Sequence, residues 1–168
     1  MTRAGRCTPP HGLRLAAGAA LLLAGIPAFA AVDCSTSSPT LAFGTYDPTV
    51  GTPTDITGTM TVTCTRAPLD TWTISYTIAL STGGSGTYSN RRMTSGPSQL
   101  NYNVFTTAAR TQVWGNGGSS TAVVGATMNF NLFQFSKSAT HSAYGRMPAG
   151  QNAQSGTYGD NLVVTLTF

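Results

Sequence analysis

From Trp72 to Ser81 the chain alternates without a break, with Trp72, Ile74, Tyr76, Ile78 and Leu80 interleaved with Thr73, Ser75, Thr77, Ala79 and Ser81. Successive side chains of a strand point to opposite faces, so this pattern specifies one apolar face in a core and one polar face in water. TGTMTVTCT, residues 57–65, does the same, setting Met60, Val62 and Cys64 against Thr59, Thr61, Thr63 and Thr65. Glutamate is absent, Thr, Ser and Gly are abundant, and no segment repeats apolar residues at helical spacing for three turns. The chain reads as all-β.

TLAFGTYD, QLNYNVFTT, RTQVWG, TAVVGATMNFNLFQF and HSAYGRMPA are further strand candidates, separated by STGGSG, TTAAR, GNGGSS and the SKSAT region as turns. Short strands punctuated by Gly and Ser predict a sandwich or barrel. Within NFNLFQF, Phe130 and Leu132 take one parity while Phe133 and Phe135 take the other. That predicts a bulge or a strand buried on both faces. The last segment, GDNLVVTLTF, puts Leu162, Val164, Leu166 and Phe168 on one face and Val163, Thr165 and Thr167 on the other. An uncharged apolar strand invites edge-to-edge pairing unless something covers it.

The first 30 residues stand apart from this pattern. MTRAGRCTPPHGLR is basic, Leu15 to Gly25 is an apolar run, and Ala28, Phe29, Ala30 form an A-x-A site. Residues 1–30 are thus expected to be a secretory signal peptide, leaving residues 31–168 as one domain. The apolar run is shorter than the roughly 20 residues that span a bilayer, so no membrane span is expected. Removal of the leader takes Arg3, Arg6 and Arg14 with it. Arg66, Arg91, Arg92, Arg110, Lys137 and Arg146 then face Asp33, Asp47, Asp55, Asp70 and Asp160, which gives no electrostatic case for nucleic acid. The adjacent pair Arg91 and Arg92 reads as solvated turn or edge residues.

Cys7 leaves with the leader. Cys34 and Cys64 remain, an even pair in an exported chain, and read as one disulfide. A metal pair would need further His or Cys nearby, so no metal is expected. Catalytic machinery is equally thin. His141 is the one histidine outside the leader and sits in no nucleophile motif, and the five aspartates do not suggest a paired-acid site. GNGGSS lacks the Lys of a phosphate loop. No catalytic residue and no cofactor are expected. Core packing is the expected role of the aromatic residues, with Trp114 and Tyr88, beside Gly-rich turns, the better surface candidates for stacking on sugars.

Several segments taken in order resemble the spore coat protein U family, which includes secreted pilins of archaic chaperone-usher systems. They are CSTSSPTLAFGTYDP, GTMTVTCT, YTIALSTGGSGTYSNRRMTSG, LNYNVFTTAARTQVWG, YGRMPAGQ and SGTYGDNLVVTLTF. The resemblance implies an immunoglobulin-like sandwich that lacks its final strand and is completed by donor-strand complementation. It implies a periplasmic chaperone, an outer-membrane usher and other pilin-like subunits as partners, with passage through the periplasm to the cell surface or beyond. It also makes Cys34 and Cys64 the family's disulfide, and the strand carrying Leu162, Val164, Leu166 and Phe168 the edge that meets the chaperone or the donor strand.

The segment before Cys34 departs from the family pattern. Only Ala31, Val32 and Asp33 lie between the expected cleavage point and Cys34, whereas a donated strand needs about ten alternating residues or more. The subunit is therefore expected to receive a strand better than it donates one. Self-completion by an internal segment such as TAVVGATMNF is the competing arrangement. The functional alternative from another class is a soluble secreted carbohydrate-binding module.

Overall fold

The structure, a computed structural model, describes residues 32–38 and 40–168; the expected leader lies outside them. The strands are β1 (Asp33–Thr36), β2 (Thr54–Thr65), β3 (Thr73–Leu80), β4 (Arg91–Ser95), β5 (Ser98–Phe105), β6 (Val124–Asn129), β7 (Ser136–Met147) and β8 (Val164–Thr167). They form a five-stranded sheet in the order β1-β2-β7-β5-β4 and a three-stranded sheet in the order β6-β3-β8. Every strand pair is antiparallel. This is the all-β sandwich that the alternation predicts.

The core lies where the alternating faces meet. Met60, Val62 and Cys64 of β2, Leu100, Tyr102 and Val104 of β5, and Ala143 and Met147 of β7 come from one sheet. Ile74, Tyr76, Ile78 and Leu80 of β3 and Met128 of β6 come from the other. Each large side chain buried this way contributes roughly 1.5–3 kcal/mol. The outer threonines and serines line up across strands, as in the Thr63 hydroxyl 2.8 Å from that of Ser138 and the Ser75 hydroxyl 3.0 Å from that of Thr127.

Several expectations fail for identifiable reasons. TLAFGTYD alternates but pairs with no strand among the described residues, and residues 40–46 are irregular. RTQVWG forms only single bridges, Phe105 to Val113 and Trp114 to Ala122. The second bridge is parallel, so GNGGSS closes a loop and not a hairpin. Its bends use positive φ at Gly117, Ser119 and Ser120.

NFNLFQF is neither bulged nor buried on both faces. After Phe130 the chain turns, with Gln134 N–H donating to the Asn131 carbonyl at 3.1 Å, and Leu132, Phe133 and Phe135 are exposed. SKSAT, expected as a turn, is the first half of β7. Ser136, Ser138 and Thr140 lie on the outer face opposite Thr65, Thr63 and Thr61 of β2, while Lys137 stands opposite Cys64.

The two arginines expected at the surface also separate. Arg91 is fully buried, because three acceptors far apart in sequence meet its guanidinium. Burial pulls its pKa below the ordinary arginine value. Arg92 is half-buried and donates to Gln99 Oε1 at 2.8 Å. Arg66 is buried too, donating to the Gln134 and Asn131 carbonyls and packed by the rings of Trp72, Phe130 and Phe135. Trp72, placed by parity in the core, is instead 49% exposed over that arginine.

Candidate functional site

The segment that most needs explaining, β8, is bonded on one side only. Ser81 N–H donates to the Val163 carbonyl at 2.9 Å, and Val163 N–H donates to Ser81 Oγ at 2.9 Å, so the two residues face each other as a bonded pair. Bonded and non-bonded pairs alternate along an antiparallel ladder. Thr165 and Thr167, opposite Ala79 and Thr77, therefore turn their backbone groups to β3. Val164 and Leu166 turn theirs the other way, to an edge that no strand covers among the described residues.

Leu162, Val164 and Leu166 are half-buried against the core, as their shared face predicts. Phe168 is placed beyond the ladder and is 53% exposed, and Val163 is 64% exposed on the outer face. The C-terminal strand thus combines an inward apolar face with a free row of hydrogen-bonding groups.

Beside that edge lies a cleft of about 560 Å³. Leu162 and Val164 form one wall, Thr36, Ser38, Leu41 and Phe43 the other, and Met60, Leu80 and Trp114 reach it from the core. A second cleft of about 670 Å³ shares Leu41 and Phe43 and continues past Tyr46 to Ala153. No backbone group of residues 40–46 bonds to another backbone group among the described residues, so side chains hold this wall in place.

Two glycines on the inner faces of β2 and β7 let that wall approach. A Cβ on Gly58 would stand 2.7 Å from Leu41 Cδ2, and one on Gly145 would stand 2.9 Å from Phe43 Cζ. Phe43 then meets the Tyr102 ring edge-on, with centroids 5.8 Å apart. Cys34 and Cys64 are bonded to each other directly across the β1–β2 ladder, which anchors the start of the wall.

The other sequence candidates fall elsewhere. Trp114 is fully buried, with its indole N–H donating to the Ile78 carbonyl at 2.9 Å, so it offers no sugar platform. Tyr88 is half-buried, its ring 5.3 Å from the Arg91 guanidinium carbon. His141 Nε2 lies 2.7 Å from the Tyr76 hydroxyl between the sheets, and burial lowers the imidazole pKa. Asp55 is paired with Arg146, which draws its carboxyl pKa down. Among the described residues no three His, Cys, Asp or Glu side chains gather to hold a metal.

Sequence reasoning located the β8 wall and missed its opposite, Leu41 and Phe43. A signal existed: Gly58 and Gly145 interrupt inward faces where a side chain should pack, and glycine inside a strand marks close approach of another backbone or group.

The comparisons agree with this architecture. The family described as Spore Coat Protein U domain matches residues 19–165. Protein U of Myxococcus xanthus is 32% identical over 137 residues, covering 77% of this chain and 72% of its own length. The CsuC–CsuE chaperone–tip adhesion subunit pre-assembly complex, from archaic chaperone-usher Csu pili of Acinetobacter baumannii, contains a chain of similar fold. It has a TM-score of 0.55 at 19% identity over 82% of this chain, which spans 40% of that one. A strand-edge sandwich with a Cys34–Cys64 bridge and a match from residue 19 to residue 165 leads to one assignment: the chain belongs to the spore coat protein U domain family.

Proposed function

We propose that this protein is an exported structural subunit of a surface pilus, fimbria or coat-like layer, completed by a strand from another chain. It works by assembly and not by turnover, in support of adhesion or biofilm formation. The observation that carries this reading is the free edge at Val164 and Leu166 beside a cleft whose floor and walls include Leu41, Phe43, Met60, Leu80 and Val164. An added strand would pair with those backbone groups while its alternate side chains enter the cleft, the β-augmentation mode of recognition.

The complex in which the structural neighbour was solved, a chaperone with a tip adhesion subunit, supports the partners that this mode would need. A periplasmic chaperone would cover the edge during passage, an outer-membrane usher would handle export, and another pilin-like subunit would supply the final strand. The glycan-binding alternative rested on Trp114 and Tyr88. One is buried and the other packs on Arg91, so no observation favours it.

The test is electrophoresis of surface-sheared material from the native cells, with and without heating in detergent, probed with antibody to this protein. Strand-complemented species open only when many main-chain bonds and a buried apolar face separate together, so they resist detergent until heated. A high-mass band that collapses on heating is expected. A monomer in both lanes would overturn the proposal.

A further inference from the structure

The stretch leading into β8 is tied down by polar contacts that pairing at the free edge does not use. Asp160 accepts three hydrogen bonds, from Gly84 N–H at 2.9 Å, Asn161 N–H at 2.9 Å and the Tyr102 hydroxyl at 2.8 Å. Gly83 makes room for it: its φ is +65°, and a Cβ there would overlap the carboxylate. One residue earlier, Gly159 and Thr94 exchange both backbone hydrogen bonds, at 2.9 and 3.1 Å. Three residues later, Val163 is bonded to Ser81. Residues 160–163 therefore cross from the sheet of β4 to the sheet of β3 with both ends fixed.

Behind this crossing lies the buried Arg91. It donates twice to the Ser81 carbonyl, at 3.0 and 2.8 Å, once to Asn103 Oδ1 at 2.7 Å and once to the Trp114 carbonyl at 2.7 Å. Because Arg91 occupies the Ser81 carbonyl, the Val163 N–H takes Ser81 Oγ instead, and the ladder ends there. A buried cation has to be compensated. Four dipolar contacts and the Tyr88 ring do so directly, and the Asp160 carboxylate, bonded to Tyr102, the cross-strand neighbour of Arg91, adds opposite charge at longer range.

We infer that Asp160, Ser81 and Arg91 are positioning residues that set the register of the β8 free edge, holding the Val164 and Leu166 backbone groups in place before an added strand arrives. This deepens the strand-addition reading and rests on it. A four-residue strand bonded on one side frays readily. Holding its entry fixed removes much of the ordering cost that an incoming strand would otherwise meet.

The test uses the oxidised protein, wild type and three variants. Asp160→Asn keeps the side chain's size and removes its charge, Ser81→Ala removes the acceptor for Val163 N–H, and Ile74→Val is a core control at the far end of β3. Amide hydrogen exchange at residues 163–167 is measured first. The association rate of a fluorescent twelve-residue peptide alternating Val and Thr is measured second.

Exchange at residues 163–167 is expected to rise about tenfold in Asp160→Asn and Ser81→Ala, with peptide association slowed about tenfold. Ile74→Val is expected to leave peptide association within about twofold. Equal peptide association by wild type and both network variants overturns the inference and leaves strand addition standing. Equal slowing in Ile74→Val also overturns it, because the effect is then one of global stability. A wild type that refuses the peptide overturns the strand-addition reading, and this inference with it.

Discussion

The Tyr76 hydroxyl and His141 Nε2 lie 2.7 Å apart, joining β3 of one sheet to β7 of the other inside the sandwich. The rings also meet edge-on, at 81° with centroids 5.7 Å apart. Burial lowers the His141 pKa below its ordinary 6.5, so the folded state favours the neutral imidazole. Below pH 6.5 the unfolded chain therefore binds more protons at this residue than the folded one does. By linkage, the stability contributed here is complete above that value and is lost as pH falls beneath it. Urea midpoints measured from pH 7.5 down to 5 should decline, and His141→Gln should flatten the decline. An unchanged slope in the variant would remove His141 as its cause.

The disulfide gives a separate expectation. Cys34 and Cys64 are 30 residues apart, and on the chain-entropy model closing such a loop stabilises the fold by about 3 to 4 kcal/mol. The double change Cys34→Ser and Cys64→Ser should lower the unfolding free energy by that order. It should also loosen β1, which among the described residues pairs with β2 alone. Hydrogen exchange at residues 34–36 reads the second effect directly.

The contrast between β3 and the arginines explains what the sequence could convey. The inner residues of β3 from Ile74 to Leu80 and the Met60–Cys64 set were legible because alternation and burial are both local in the chain. The β8 wall was legible for the same reason. Arg91 was not, since its acceptors lie 10 to 23 residues away and only the folded chain brings them together. Trp114 packs in the core as expected, but the contact that holds it was not legible, because its N–H reaches the Ile78 carbonyl 36 residues away. TLAFGTYD shows the converse: its alternation is real and buries part of Leu41 and Phe43, but among the described residues no strand pairs with it to make a ladder.

The same wall supports a packing prediction. Gly145→Ala would place a methyl 2.9 Å from both Ile56 Cγ1 and Phe43 Cζ, and Gly58→Ala would place one 2.7 Å from Leu41 Cδ2. Overpacking of this kind costs about 1 to 3 kcal/mol. Pairing Gly58→Ala with Leu41→Ala should recover part of that cost, because the added and removed methyl groups share one space. Thermal melts of the two single variants and the double variant form the cycle. Strict additivity would show that Leu41 does not rest on Gly58.

The chain end also makes a definite expectation. Cleavage after Ala30 would leave Ala31 as the first residue and three residues before Cys34. Sequencing the N-terminus of the protein isolated from its native cells checks this. A start well upstream of Ala31 would restore a segment long enough to donate, and the subunit would then be expected to extend a fibre as well as receive a strand.

The sharpest prediction concerns single backbone groups. Proline removes one N–H and is tolerated in a strand only where that N–H faces away from the ladder. In β8 the Val164 N–H points to the free edge, while the Thr165 N–H points to β3 opposite Ala79. Val164→Pro should therefore keep a folded monomer with its disulfide and thermal transition, yet lose the heat-sensitive, high-mass species on unheated gels, because an added strand finds one acceptor-edge donor missing. Thr165→Pro, one residue along, should instead remove a β3 ladder bond, leave its acceptor unpaired and cost about 1 to 3 kcal/mol. Circular dichroism and paired gels separate the two effects. If Val164→Pro assembles as the wild type does, added strands do not pair with this edge. If both variants unfold alike, the parity assigned to β8 is wrong.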